Sequence, residues 1–236
     1  MKMKKTIAVV VILVVIAGFL SAIEIKNSTF IGGVSYDYIF ANGHTYGSPD
    51  DPTDYGNVPF TSKVAGFSVY GGYDVQIGNR WYSRLEYELL VKATAFNYKD
   101  EDVDDYLKFT RKGSKKRVGG YFYIPITDDL ELNVGGVLTN ITMGVSNFSL
   151  KDGLEYEFVQ DLIGIGLILE GQYDLSKHFT LRFGIVPDFT FITVDRYKIN
   201  YRDTEEYTYR TVSEGRTTLF DLGFSVSARL GISYHF

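Results

Sequence analysis

The C-terminal segment alternates between apolar and other side chains without interruption. The apolar positions are Phe220, Leu222, Phe224, Val226, Ala228, Leu230, Ile232, Tyr234 and Phe236. A period of two is typical of a β-strand whose two faces meet different surroundings. Strands in soluble sheets usually have about five or six residues, whereas about ten tilted residues cross a bilayer. The segment is therefore predicted to span a membrane, with one face towards lipid.

Such a strand needs neighbours on both sides, because its backbone N–H and C=O groups would otherwise be unpaired in hydrocarbon. Alternation recurs in residues 29–40, 65–75, 81–98, 115–126, 130–151, 159–174 and 179–191. The chain is therefore predicted to be all-β, an eight-stranded antiparallel up-and-down transmembrane β-barrel. A soluble barrel of lipocalin type is the alternative, but its apolar face would point inward.

The connections between these segments alternate in length. Residues 76–80, 127–129 and 175–178 are short, whereas 41–60, 99–114, 144–158 and 195–216 are long. Short periplasmic turns and long extracellular loops are the rule in outer-membrane barrels. Alternation also continues on both sides of Asp152-Gly153 and of residues 202–206, which predicts hairpins that project from the cell.

The N-terminus has the features of a secretory signal peptide. Lys2, Lys4 and Lys5 precede an apolar run over residues 7–20, which is short for a spanning helix. We expect cleavage after Ala22 and a barrel domain over residues 23–236; an uncleaved anchor is the alternative. The formal net charge of −5 argues against nucleic acid as a partner. The absence of cysteine excludes disulfides and thiolate metal sites.

Charged residues occur at the positions that alternation directs into the lumen. The predicted lumen network is Asp37, Arg84, Glu86, Glu88, Lys92, Glu131, Glu170, Arg182, Asp188, Asp221 and Arg229. An eight-stranded barrel has an interior just wide enough for its own side chains, so these charges are expected to pair and fill it. The alternative is a narrow acidic passage for a cation or small solute.

Aromatic residues are concentrated on the arms of the projecting hairpins, namely Tyr156, Phe158, Tyr197, Tyr201, Tyr207 and Tyr209. Tyrosine offers a large contact area at a small entropic cost, and a free strand edge can accept another strand. These residues are predicted to bind an extracellular ligand or a host surface. The alternative is that they pack the hairpins together or form an aromatic girdle.

Catalytic chemistry is not favoured by the sequence. The histidines are His44, His178 and His235, and none has a spacing that ties it to a nucleophile and a carboxylate. No metal, cofactor or nucleotide motif is present. The chain is therefore predicted not to be an enzyme.

The whole mature chain resembles the small eight-stranded outer-membrane proteins of bacteria, a group that includes protein X and the adhesins, the transmembrane domain of protein A, and protein W. The resemblance rests on alternation, turn asymmetry and a terminal strand that ends in Tyr234 and Phe236. It implies location in the outer membrane, contact with its lipid, and recognition of the last strand by the barrel assembly machinery. Projecting hairpins resemble the adhesin type and imply surface binding. Pro187, on the lipid side of the seventh segment, instead resembles protein W and implies passage of small solutes.

Overall fold

The computed structural model describes residues 27–46, 57–97, 107–149, 154–202 and 209–236. Its strand segments are β1 (Ser28–Tyr46), β2 (Asn57–Gln76), β3 (Trp81–Asn97), β4 (Leu107–Pro125), β5 (Leu130–Ser149), β6 (Leu154–Asp174), β7 (Phe179–Arg202), β8 (Tyr209–Leu219) and β9 (Gly223–His235). Neighbouring segments are antiparallel, and pairing of β1 with β9 closes the barrel. The predicted signal peptide lies outside the described residues.

The nine segments form eight strands of the barrel wall, because β8 and β9 both pair with β7 and together make up the eighth strand. The predicted eight-stranded antiparallel barrel is therefore confirmed. The prediction of one unbroken final strand is wrong, because residues 220–222 lie outside the ladders. There the backbone N–H of Leu222 donates to the Asp221 carboxylate at 2.8 Å, and such local bonds compete with a ladder.

The predicted faces of the wall are observed over most of its height. Large apolar side chains such as Phe67, Leu85 and Leu138 point outward and are more than 60 % exposed to the surroundings of the barrel. Charged side chains such as Arg84 and Glu88 point inward and are buried. An apolar outer surface around a polar interior is the arrangement that a bilayer requires. Within the described part of the chain, no helix has the length and apolar character needed to cross a membrane.

The strands extend further than the sequence indicated. Parts of the connections that were expected to be irregular are paired, because β1 reaches Tyr46, β2 begins at Asn57 and β4 begins at Leu107. The 20 residues of β5 correspond to roughly 50 Å of height at a rise of about 3.3 Å per residue and a tilt near 40°, against an apolar band of about 25 Å. All four long connections therefore join paired strands that stand outside the membrane.

A bulge in β3 reverses its alternation near the outer end. Phe67 pairs with Lys92, whereas the next residue of β2, Ser68, pairs with Leu90, so Val91 is the extra residue. An inserted residue moves every later position to the opposite face. The register thus pairs Lys92 with the outward Phe67 and Ala93 with the inward Gly66. The predicted lumen position of Lys92 concerns a side chain that lies outside the described part, and only the backbone register of this residue is given.

Pro187 interrupts the ladder between β6 and β7. Pairing passes from Gly166–Asp188 to Leu169–Ile185, so the two residues between them on each strand are unbridged. Proline lacks the N–H that a ladder needs. The interruption leaves no opening on the lumen side, because the side chains of Val186 and Ile168 are buried next to it.

Candidate functional site: the charged lumen

Eleven buried charged side chains form one network in the lumen, which we call the central network. Its members are Asp37, Asp74, Glu86, Glu88, Glu170, Asp188, Arg84, Lys115, Arg117, Arg182 and Arg229, each at most 5 % exposed. They come from β1, β2, β3, β4, β6, β7 and β9, so the network joins almost every wall position. Buried charges are tolerated when they are paired and hydrogen-bonded, and every member of the network has an ion pair or a hydrogen bond described below. Nε of Arg182 and of Arg229 is buried without a hydrogen-bond partner among the described residues.

The periplasmic half of the network is built on two arginines. Arg84 donates to Asp74 through Nε at 2.9 Å and to Glu170 through Nη1 at 2.8 Å. Arg182 lies 2.9 Å from the same Asp74 carboxylate. The ring of Tyr121 lies 4.8 Å from the Arg84 guanidinium, and its hydroxyl donates to Asp74 at 2.9 Å. Cation–π and charge-assisted bonds together hold this layer rigidly.

The middle layer links four strands through two further arginines. Arg229 forms a two-pronged pair with Glu86, with N–O distances of 2.7 and 2.6 Å. Arg117 forms a second one with Asp188, at 3.1 and 2.7 Å. Both guanidinium groups also bond Glu88, at 2.8 Å from Arg229 and 2.6 Å from Arg117. Planar guanidinium groups suit such bidentate contacts.

Lys115 forms the extracellular layer of the network. Its ammonium group donates to Asp37, to Ser225 at 2.9 Å and to Ser227 at 2.8 Å, which accounts for its three N–H donors. Ser68 and Ser227 also donate to Asp37. Above this layer the lumen is filled by apolar side chains: Ile39, Ala41, Val64, Leu90, Ile141, Met143 and Leu162, all at most 3 % exposed.

Glycines provide the space that the large side chains occupy. A Cβ on Gly231 would overlap the Tyr70 hydroxyl and would lie 2.6 Å from the carbonyl oxygen of Gly32. A Cβ on Gly166 would overlap the carboxylate of Asp188. The interior is therefore packed by matching glycine in one strand to tyrosine or aspartate in another, as a narrow barrel requires.

The sequence-predicted lumen residues fall into two groups. Asp37, Arg84, Glu86, Glu88, Glu170, Arg182, Asp188 and Arg229 lie together in the central network. Glu131 is only partly buried and bonds Gln172 at the periplasmic end, away from the network. Asp221 lies at the break between β8 and β9 and is also partly exposed. Glu131 and Asp221 are therefore separate from the central network, and the side chain of Lys92 lies outside the described part.

Three members of the central network were not included in that set. Lys115 and Arg117 follow other basic residues at a point where the alternation is weak, and Asp74 lies at the end of its alternating segment, next to the turn at residues 76–80. The outward positions Val118 and Gly120 of the same strand imply that Arg117 and Lys115 point inward. Parity within β4 could therefore have found both.

The hairpin aromatics are described only in part. Phe158 pairs with Tyr197, and Tyr156 with Ile199, by backbone register. Tyr201 pairs with Arg210, and Tyr209 with Arg202. Positions 158 and 197 have the same parity as Gln160 and Asp195, which lie in the lumen. Tyr207 and the side chains of all six aromatics lie outside the described part.

The end of the last strand forms an aromatic cluster at the periplasmic rim. Phe236 lies edge-on to Phe30 and to Tyr234, with centroid distances of 5.2 Å in both cases. His235 bonds Thr29 of β1 at 3.0 Å and Thr180 of β7 at 2.8 Å. The last strand is thus fastened by its side chains to both neighbours. Among the described residues, no group of three or more histidines and carboxylates is arranged to hold a metal ion.

Comparison with solved structures identifies the fold. The outer membrane protein OprG of Pseudomonas aeruginosa matches with a TM-score of 0.51 and 13 % identity over 90 % of this chain and 97 % of that one. A major outer membrane protein of Thermus thermophilus matches with a TM-score of 0.52 and 12 % identity over 86 % and 99 %. No protein-family model matches the sequence, and no curated protein matches it significantly. The chain has the fold of the small eight-stranded outer-membrane barrels, with an apolar outer wall and a charged interior.

Proposed function

We propose that this chain is a non-conducting barrel that acts through the hairpins it presents outside the cell, as a surface-interaction or envelope-structural protein. The observation that supports this is the filled lumen. Arg84, Lys115 and Arg117 are less than 3 % exposed and cross-link opposite walls, and an apolar layer covers them. A hydrated ion would have to displace paired buried charges, which is costly.

Conductance across a planar bilayer tests the closed lumen. Folded protein, identified by its heat-dependent gel mobility, should insert without producing steady current steps. Discrete, cation-selective steps from the wild-type protein would replace this proposal with the narrow-passage one. That the chain is not an enzyme remains a prediction.

The proposed role of the hairpins in surface binding is tested by deleting the outer part of a hairpin between two paired residues. Lys198 pairs with Glu214, so residues 199–213 can be deleted and the pair joined by Asn-Gly. Val145 pairs with Phe158, so residues 146–157 provide a matched deletion in the neighbouring hairpin. Both variants should fold, because loop ends tolerate change. Binding of expressing cells to host matrix, complement factors or neighbouring cells should fall. Unchanged surface binding together with altered permeability would contradict the proposal.

A second candidate, passage of small apolar solutes, is supported by the break in the eighth wall position. Pairing of β1 with β9 ends at Phe40–Phe224, and among the described residues β1 has only β2 as a partner beyond it. Phe220 and Leu222, at the break, are 88 % and 76 % exposed. Uptake of an apolar dye into proteoliposomes tests this candidate, with Pro187→Ala as a comparison. Uptake no faster than into empty liposomes would exclude it.

A further inference from the structure

A row of polar side chains crosses the outer surface of the barrel from β4 to β8. Its members, which we call the outward polar row, are Lys116, Asn140, Thr142, Asp161, Arg196 and Arg216. Backbone register links them, through the pairs Lys116–Asn140, Thr142–Asp161 and Arg196–Arg216. Thr142 donates to Asp161 at 2.7 Å, and Arg196 donates to the same carboxylate at 2.6 Å.

The row begins where the apolar wall ends. On the periplasmic side of it, the outward residues Val118, Leu138, Ile163 and Ile165 are apolar and exposed. At a rise of about 2.5 Å per residue along the barrel axis, Lys116 lies about 20 Å above the periplasmic rim and Arg196 about 40 Å above it. With an apolar band of about 25 Å, the row extends from near the outer edge of the hydrocarbon to about 15 Å beyond it.

The row contains three basic residues and one acidic residue, Asp161, and therefore carries a positive excess. Asp161 is paired with Arg196, whereas Lys116 and Arg216 are exposed and have no hydrogen bond or ion pair with any described residue. Arg196 and Arg216 are directly opposite each other on β7 and β8, and like charges in that relation repel. Next along these strands the backbone register pairs Lys198 with both Glu157 and Glu214, so the excess of basic residues ends at the arginine pair.

We propose that the outward polar row binds the phosphorylated sugar headgroup of an outer-leaflet glycolipid. Phosphate oxygens would relieve the repulsion between Arg196 and Arg216 and pair with Lys116, and guanidinium groups suit phosphate geometry. The amide of Asn140 and the hydroxyl of Thr142 offer hydrogen bonds to sugar hydroxyls. A lipid is favoured over a soluble anion because the row is continuous with the lipid-facing wall.

The test uses the full-length folded protein in phosphatidylcholine nanodiscs, titrated with labelled lipopolysaccharide in phosphorylated and dephosphorylated forms. Each basic residue near a charged membrane surface is worth about fivefold in affinity, so Lys116→Gln with Arg216→Gln should weaken binding by about 25-fold at low salt. Lys63→Gln is the matched control, because Lys63 is also exposed but lies on β2, outside the row. It should change affinity less than twofold.

The expected result also includes weaker binding of the dephosphorylated form and no competition by millimolar inorganic phosphate. The proposal is overturned if the double variant binds as tightly as the wild type, or if the dephosphorylated lipid binds equally well. It is also overturned if inorganic phosphate alone displaces the label, since the row would then be a simple anion site. Lys116→Gln alone, with an expected loss of about fivefold, decides the matter if the double variant does not fold.

Discussion

Arg229 and Glu86 form a bidentate ion pair across the lumen, with N–O distances of 2.7 and 2.6 Å and almost no exposure of either side chain. Glu86 lies on β3 and Arg229 on β9, so the pair joins wall positions that are not neighbours. The same two carboxylate oxygens also face Arg117 and Arg84. The lumen is therefore held together by shared charges rather than by isolated pairs.

Breaking this pair from one side is predicted to be severe. Glu86→Ala should lower the free energy of unfolding by about 3–5 kcal/mol, because Arg229 is left as a buried and partly unpaired charge. Glu86→Met and Arg229→Met combined should cost much less than the sum of Glu86→Met alone and Arg229→Met alone. Urea unfolding in lipid vesicles measures the double-mutant cycle. Additive losses would show that the two residues are not coupled.

The exposed pair Asp161–Arg196 is the control for this cycle. Its N–O distance is 2.6 Å, yet the arginine side chain is 51 % exposed and the carboxylate 21 %. Solvent screens such pairs, so Asp161→Asn should cost at most about 1 kcal/mol. A loss as large as that of Glu86→Ala would mean that burial does not set the cost.

Glycine in the lumen is predicted to be irreplaceable where a tyrosine lies against it. Gly231→Ala should destabilise the barrel by about 1–3 kcal/mol or more, because the new methyl group meets both Tyr70 and the backbone of Gly32. Gly71→Ala is the matched control, since Gly71 points outward and the nearest atom to its Cβ position is 3.8 Å away. We expect that change to be close to neutral. The midpoint of urea unfolding distinguishes the two, and equal midpoints would contradict the packed interior.

A larger side chain should have different effects on the outward and the inward face of the barrel wall. Leu167→Phe should be nearly neutral because fluid lipid adapts to the outward ring, whereas Ser227→Phe should prevent folding because Ser227 is fully buried against Asp37 and Lys115. Leu167→Arg should cost about 2–4 kcal/mol near the bilayer midplane. Refolding yield in vesicles measures all three.

Removal of the terminal aromatic side chain should affect assembly more than stability. Phe236 is 66 % exposed and its ring lies against the rim aromatics Phe30 and Tyr234, so Phe236→Ala should change the free energy of unfolding by about 1 kcal/mol or less. If the assembly machinery reads the last strand, the amount of folded barrel in the outer membrane should fall several-fold. Phe30→Ala is the control, because it removes the same contact from the other side. An equal fall for both would indicate a rim defect instead.

The alternation of side chains determined most of the wall. Because the period of a strand is two, the identity of one outward residue assigns every other position until a bulge intervenes, and this was sufficient for β2, β5, β6 and β9. Turn asymmetry determined the number of strands and their orientation. Lys92 could not be placed in this way, because no local sequence signal shows that Val91 is an extra residue. The bulge depends on the pairing of β3 with β2 and β4.

Which charges meet was decided only by the tertiary structure. The sequence directed Glu86, Glu88 and Arg229 into the lumen, but the distances between their charged groups depend on strand stagger and barrel closure, which set how residues far apart in the chain face each other. The break at residues 220–222 could not be predicted either, because the alternation of apolar and other residues continues through it. Alternation depends only on the environment of each face of a strand. It therefore cannot show which side chains meet across the lumen.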